Sequence, residues 1–540
     1  MNHILSLTVL LFLFSHSFAQ KLSLGKIDFP NSGAEAAQTD FYEGVLLLHS
    51  FEYEDAAEAF QRAQKIDPDF ALAYWGEAMT HTHPLWSQQD RDAALAALDR
   101  LAPTPEARLA KAPTKKEKDL LQAVHILYGE GTKEERDYAY SDFMGRLHKK
   151  YPDDHEITSF YALSILGTCH EGRDEYRYIK AGSIVEEVYS ENPEHPGALH
   201  YLIHSYDDPV HAPLGLRAAR RYAEVAPSAA HALHMPSHIF IALGMWDRVV
   251  RSNEESSAAA DTRRLKKDLG VDARGFHSLH WLEYGYLQQG RITKAKKLLQ
   301  DMQRDYRESD SRRSAFHLAV MRASYLVETE DWKGFASQIE VDHERLAKKA
   351  KALDLFIQSL AALRHGKDDA FEKHLKVLES MAPMHEMHDM SAGSGMLTCC
   401  SPNYTEDDEG AGTNHAIHVM TMELKACKLF QDGKKKEAID MLEKAADMEG
   451  RMDFMFGPPI IAKPSHELLG EFLLAEGEYK RAAKAFELGL KRAPKRTRAL
   501  LGLYKAAQGM EDETLAQETK QQIQENLRKA DQGLDWFAAR

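Results

Sequence analysis

Four cysteines in 540 residues (Cys169, Cys399, Cys400 and Cys427) are too few to staple a chain of this length with disulfides. An excess of basic charge is also missing. Lys and Arg number 68 against 83 Asp and Glu, a formal net charge of −15. Binding to phosphate backbones or anionic lipid needs a basic face, so neither nucleic acid nor a membrane surface is an expected partner. Glycine (32) and proline (19) are sparse, and 44% of residues are apolar, which excludes collagen-like and disordered chains. No phosphate-cradling glycine loop, nucleophile-elbow serine or paired-cysteine zinc module is found. Strand runs are absent too, and past residue 20 no apolar stretch approaches the eighteen residues of a membrane span.

What is present begins with a leader. Ile4 to Phe14 reads ILSLTVLLFLF, followed by small residues at Ser17 and Ala19. That is the apolar core and small-x-small site of a secretory signal cut after Ala19, so residues 1–19 are excluded from the fold. Eleven apolar residues cannot span about 30 Å of hydrocarbon, so the run is no anchor. The mature chain is expected to be exported, periplasmic or secreted, without a membrane anchor.

The rest is too long for one compact core, and alternates apolar helical patterns with short Gly, Pro or Asp breaks. Gly44, Ala56, Phe60, Ala63 and Pro68 fall at spacings that recur in Gly470, Ala482, Phe486, Gly489 and Pro494. The first small residue lets two antiparallel helices approach, the second lets the next unit dock, the aromatic fills the space between, and Pro ends the helix. This pattern resembles the tetratricopeptide repeat, a 34-residue helix pair. The resemblance implies an all-α solenoid of roughly twelve antiparallel helix pairs, whose concave groove takes a protein or peptide partner, or a small ligand. The stretches HPGALHYLIHSYDDPVHA, HALHMPSHIFIALGMW and GPPIIAKPSHELLGEFLLAEG are also similar to a group of exported bacterial tetratricopeptide proteins, a likeness that implies fold and little else. Ser391 to Thr413 is rich in Gly, Ser and acids. It divides an array over 20–390 from further repeats over 414–540.

The histidines keep the register of the repeat. His200 and His204 are four apart, as are His234 and His238, and each of the second pair lies 34 after its counterpart. His170 precedes His204 by another 34. Residues four apart share a helix face, and residues one repeat apart occupy equivalent places on successive first helices. Their imidazoles are therefore expected to converge on one patch of groove wall, with His277 and His280 adding a third edge. Pro236 and Pro209 would kink or bound these helices, and Asp207, Asp208, His211, His231 and Glu283 lie within reach as supporting partners or further ligands. Neutral imidazole is the commonest transition-metal ligand, so the cluster points to copper, zinc or iron. The competing account is that buried histidines bond to carboxylates and carbonyls and lock repeat to repeat. No Glu sits inside either HxxxH, as a zinc-protease base would require.

Lesser clusters add less. Met384, His385, Met387 and His388, between Met381 and Met390, offer thioether and imidazole donors suited to copper, or form a Met-rich linker. Cys399-Cys400 is a vicinal disulfide, a redox pair, a soft-metal pair or merely structural. His81 and His83 alternate and share no helical face. His415, His418, His466 and Glu467 fall on later first helices. The expectation is an exported binding or scaffold protein whose cluster holds a transition metal. Two alternatives remain: a metal-dependent hydrolase or oxidase using the same ligands, and a metal-free assembly module.

Overall fold

The structure, a computed structural model, describes residues 22–382, 411–454 and 456–533. Twenty-five α-helices are found among the described residues, with a hairpin of two two-residue strands (β1 Thr82–His83, β2 Gln88–Gln89). The first units are α1 (Glu35–His49) with α2 (Tyr53–Ile66), and α3 (Ala71–Met79) with α4 (Arg91–Leu101). A short α5 (Pro105–Lys111) leads to α6 (Lys115–Leu127) with α7 (Lys133–Lys150), then α8 (His155–Leu166) with α9 (Glu175–Glu191). The central units are α10 (Pro196–Ser205) with α11 (Ala212–Val225), and α12 (Ala230–His234) and α13 (Pro236–Ala242) with α14 (Trp246–Lys266). There follow α15 (Phe276–Gln288) with α16 (Ile292–Glu308), α17 (Arg312–Thr329), and α18 (Lys348–Arg364) with α19 (Asp368–Met381). The last three units are α20 (Ala411–Gln431) with α21 (Lys435–Arg451), α22 (Ser465–Ala475) with α23 (Tyr479–Arg492), and α24 (Thr497–Gly509) with α25 (Glu513–Asn526).

Local chemistry sets these boundaries. Thr114 and Glu117 form a reciprocal capping box at α6, and the Asp154 and Asp174 carboxylates cap α8 and α9. The interlock expected from spacing is present. The ring of Phe60 lies between Gly44 and Gly76, where a Cβ would approach it to 2.8 and 2.3 Å. Phe486 sits likewise between Gly470 and Gly502.

Burial separates the two helices of a unit. Second helices such as α2 bury one stripe (Ala56, Phe60, Ala63), whereas every residue of α10 and α15 is buried. These two central first helices are therefore interior on all sides. The groove they would line is filled by the chain itself, because the superhelix closes. Residues 22–34 run beside the central loops, with Lys26 N–H donating to the Glu194 carbonyl. From the other end, Thr497 N–H donates to Gln288 Oε1 at 2.8 Å and Trp246 Nε1–H to the Lys495 carbonyl at 3.0 Å. Phe456 packs its ring 4.7 Å from that of His238. The open groove expected from the repeat is thus an enclosed interior at the histidines.

Helices on both sides of residues 383–410 share one core, with Leu353 and Phe356 in the same apolar cluster as Ile417 and Met420. Most of the 391–413 segment lies outside the described residues. No helix among those described is long and apolar enough to cross a membrane.

Candidate metal centre

Three first helices supply the cluster, two of them (α10 and α15) buried throughout and the third part-buried at Ala230 and His231. On α10, His200 and His204 share a face. Pro236 interrupts the next first helix between α12 and α13, with Met235 still in helical conformation, and His234 and His238 keep the i, i+4 placement of the α10 pair, their Nε2 atoms 3.2 Å apart. His277 comes from α15, its ring 4.5 Å from that of His234. The donor atoms fall into two triads, His200–His204–His231 and His234–His238–His277, each within 4.8 Å. Asp207, in the turn after α10, joins them: its Oδ2 is 3.0 Å from His238 Nδ1 and 3.5 Å from His204 Nδ1.

The surrounding acceptors fix where the protons lie. His234 Nδ1 is 2.6 Å from Asn253 Oδ1, and Asn253 is oriented by giving its own amide proton to the Val249 carbonyl. Nδ1 of His234 must therefore be the donor. His238 donates Nδ1–H to the Asp207 carboxylate, an acceptor only. Both Nε2 atoms then carry lone pairs, pointed at each other across 3.2 Å in a buried site. Protonation is no remedy. Burial, followed by the neighbouring imidazoles His238 and His231, holds His234 well below its ordinary value, and burial lowers His238 to about 4 against the pull of Asp207. Two nitrogens bound at about 2.05 Å to one tetrahedral ion would sit about 3.3 Å apart. A shared cation resolves the opposed lone pairs; a hydrogen bond cannot.

Asp207 supports this arrangement as an anion. Burial works against its charge, but the Arg173 guanidinium, 2.6 Å from Oδ1, and hydrogen bonds from His204 and His238 hold it well below the usual carboxylate range. A carboxylate behind a ligating imidazole fixes the tautomer and raises basicity, an arrangement typical of metal sites.

A third buried group, His49–Glu156–His195, has similar composition and the opposite character. His195 Nδ1 accepts the Ala198 N–H at 3.1 Å, so its Nε2–H donates to Glu156 Oε1 at 3.0 Å. His49 donates Nε2–H to Glu156 Oε2 at 2.7 Å and accepts from the Tyr201 hydroxyl at 2.9 Å. Every ring nitrogen is matched. This group bolts α1 to α8 and α10, and is the repeat-locking role for histidine.

The expected site residues are thus partly gathered. His200, His204, His234, His238 and His277 come together, Asp207 supports them, and His231 joins a triad directly. His170 stands apart, 3.3 Å from Asp137, because α8 ends at Leu166 before the equivalent position is reached. His280, on α15, belongs to neither triad; its ring lies 5.9 Å from that of His317, and it lines a small pocket with Lys349 and Phe316. Glu283 is fully buried with neither carboxylate oxygen hydrogen-bonded, and burial, then Glu328, raise its pKa well above the usual range. Asp208 and His211 pair with each other at 2.8 Å. His83 stacks on Tyr53, and Glu467 is tied to Arg496 and Lys463. Met384, His385, Met387, His388, Cys399 and Cys400 lie outside the described residues.

Four contributors escape sequence reasoning: Asn253, Arg173, Phe51 and Glu52. Phe51 follows α1 with φ at +55°, a left-handed conformation costly for a bulky residue. Its ring lies 4.2 Å from His200 and 5.7 Å from His231. Next to it, Glu52 accepts the His231 N–H at 2.9 Å. A cleft of about 490 Å³ opens here, lined by Glu52, Trp86, His231, His234, His277 and Arg313 among others. The cluster is therefore reached from one side.

Fold and site together define the class: a closed, tetratricopeptide-type α-solenoid with an imidazole-rich interior. No protein-family model matches the sequence, and no curated protein is similar to it. Among solved structures, the chain is similar to the human IFIT1 dimer with m7Gppp-AAAA (13% identity, TM-score 0.36, covering 94% of this chain and 92% of that one). It is also similar to the APC/C hetero-tetramer Cut9–Hcn1 (10%, 0.32, 94% and 77%) and to the P58(IPK) TPR domain (13%, 0.21, 89% and 99%). The helix-pair architecture rests on the packing described above, not on these likenesses.

Proposed function

We propose that the protein is an exported tetratricopeptide-type binding protein whose interior holds a transition-metal ion on His234, His238 and His277. The observation that carries this reading is the pair of lone pairs at His234 and His238 Nε2, opposed at 3.2 Å with both Nδ1 protons committed elsewhere. Neutral nitrogen donors suit zinc, copper or iron. Export is supported by the apolar run at Ile4–Phe14 and the small residues Ser17 and Ala19. With the interior filled, the remaining cleft accommodates a small ligand or a few residues of a peptide rather than a whole helix.

A second reading, a metal-dependent hydrolase or oxidase, is favoured by that same cleft. It places Glu52, whose pKa burial raises, beside His231 and within reach of the metal ligands. A carboxyl so placed can carry a proton to or from a bound molecule.

Elemental analysis of the mature chain, starting at Gln20 and made without a histidine tag, tests the first reading. Stoichiometric transition metal is expected, absent from a His234→Ala/His238→Ala variant, and its removal by chelator should lower Tm. Metal-free protein with a chelator-insensitive Tm overturns it.

A further inference from the structure

We infer a second metal site at His200, His204 and His231, making the interior a dinuclear centre for divalent first-row transition ions; this rests on the metal reading of the first triad. His200 Nδ1 is 2.7 Å from the His49 backbone carbonyl, which can only accept, so the proton is on Nδ1 and Nε2 carries a lone pair. That Nε2 faces two others, His204 Nε2 at 3.1 Å and His231 Nε2 at 3.2 Å. His204 turns its Nδ1 toward the Asp207 carboxylate at 3.5 Å, an anion that favours the proton on Nδ1 and so a lone pair on the Nε2 facing His200. Were His231 to donate its Nε2–H to His200, the His204 lone pair would still face an occupied atom. One ion among the three satisfies all of them, at separations that suit two ligands on a common ion.

The two triads share no member and adjoin, with the His204 and His238 rings 5.3 Å apart and Asp207 between them, its Oδ2 approaching one imidazole from each. A single carboxylate thus orients a ligand of each ion, while Arg173 matches its charge at Oδ1. An aromatic wall closes the same triad on one side: the Phe51 ring lies 4.2 Å from that of His200 and 5.7 Å from that of His231. Both triads also reach the cleft, one through His231 and the other through His234 and His277.

The test uses the full mature chain stripped of metal and titrated with Co²⁺ alone, followed by its visible d–d absorbance and by metal content after gel filtration. Two equivalents per chain are expected. A His200→Asn/His231→Asn variant should keep one, and a His234→Asn/His277→Asn variant should also keep one. One equivalent in the wild type, lost in both variants, would overturn the second site and leave a single shared ion. No bound cobalt in the wild type would overturn the underlying metal reading. The wild-type count needs no variant to fold.

Discussion

His49 and His200 are joined by one hydrogen bond, yet they belong to opposite chemistries. Around His49 each ring nitrogen meets a partner of the complementary kind, and the group is settled without a ligand. Around His200 acceptors outnumber protons. Burial alone distinguishes neither, since both side chains are fully enclosed; the accounting of donors does. His280 isolates what burial itself does. Burial lowers its pKa to about 3, against about 6.5 in the unfolded chain. Below pH 6.5 the unfolded chain therefore binds a proton at residue 280 that the folded chain refuses. Its contribution to stability is complete above pH 6.5 and is lost as the pH falls toward 3, at about 1.4 kcal/mol per pH unit. Urea denaturation at pH 6.5 and 5.0 should show His280→Leu losing about 2 kcal/mol less than wild type over that interval. Equal losses would mean that His280 is charged in the fold. The paired HxxxH spacing was legible because a period of 34 carries side chains to equivalent places. His49, Glu156, Arg173 and Asn253 were not: His49 meets Glu156 across 107 positions, a distance set by superhelical closure. His170 shows the limit of periodicity, since it kept the register while its helix stopped four residues short.

At the scale of the helix, the aromatic–glycine interlock converts sequence spacing into geometry. Phe486 occupies the space that Gly470 and Gly502 leave empty, so one ring holds α22, α23 and α24 together. A Cβ at Gly502 would lie 2.2 Å from that ring, and a ring held on two sides has nowhere to move. Gly502→Ala should cost about 1–3 kcal/mol through overpacking, although alanine is the better helix former. Gly450, in the last turn of α21 with nothing near its Cβ position, is the control. There the same change should be neutral or stabilise by up to about 1 kcal/mol. Equal effects at the two positions, read from urea midpoints, would mean that the interlock is loosely packed. This level of the fold was readable because its determinants sit within one repeat. The splitting of α12 from α13 was foreshadowed by Pro236, but the wholly interior character of α10 and α15 depends on what packs against them from distant units.

The whole molecule departs from a simple solenoid because its ends return to its middle. In an open array each unit touches only its neighbours, so a perturbation in the last unit stays there. Here Arg496, 1% exposed at the start of α24, reaches three distant groups. It pairs with Glu467 at 2.7 Å and Glu328 at 2.6 Å, and donates to the Tyr284 hydroxyl at 2.8 Å. Tyr284 belongs to α15, which carries His277, and Glu328 to α17, which packs against it. Replacing Arg496 with methionine would remove the ion-pair partner of buried Glu328 and leave Glu467 to Lys463 alone at close range, a loss of about 3–5 kcal/mol. Closure also predicts where the damage spreads. Hydrogen exchange should quicken in α15 and α17 as well as in α22 to α25, because the contacts that bind these regions are severed together. Exchange that quickens only in α22 to α25 would instead describe an open array whose end folds independently. The enclosure of the histidine cluster depends on the first outcome, since Phe456, whose ring lies 4.7 Å from that of His238, is followed six residues on by Ala462, whose carbonyl Arg496 also reaches.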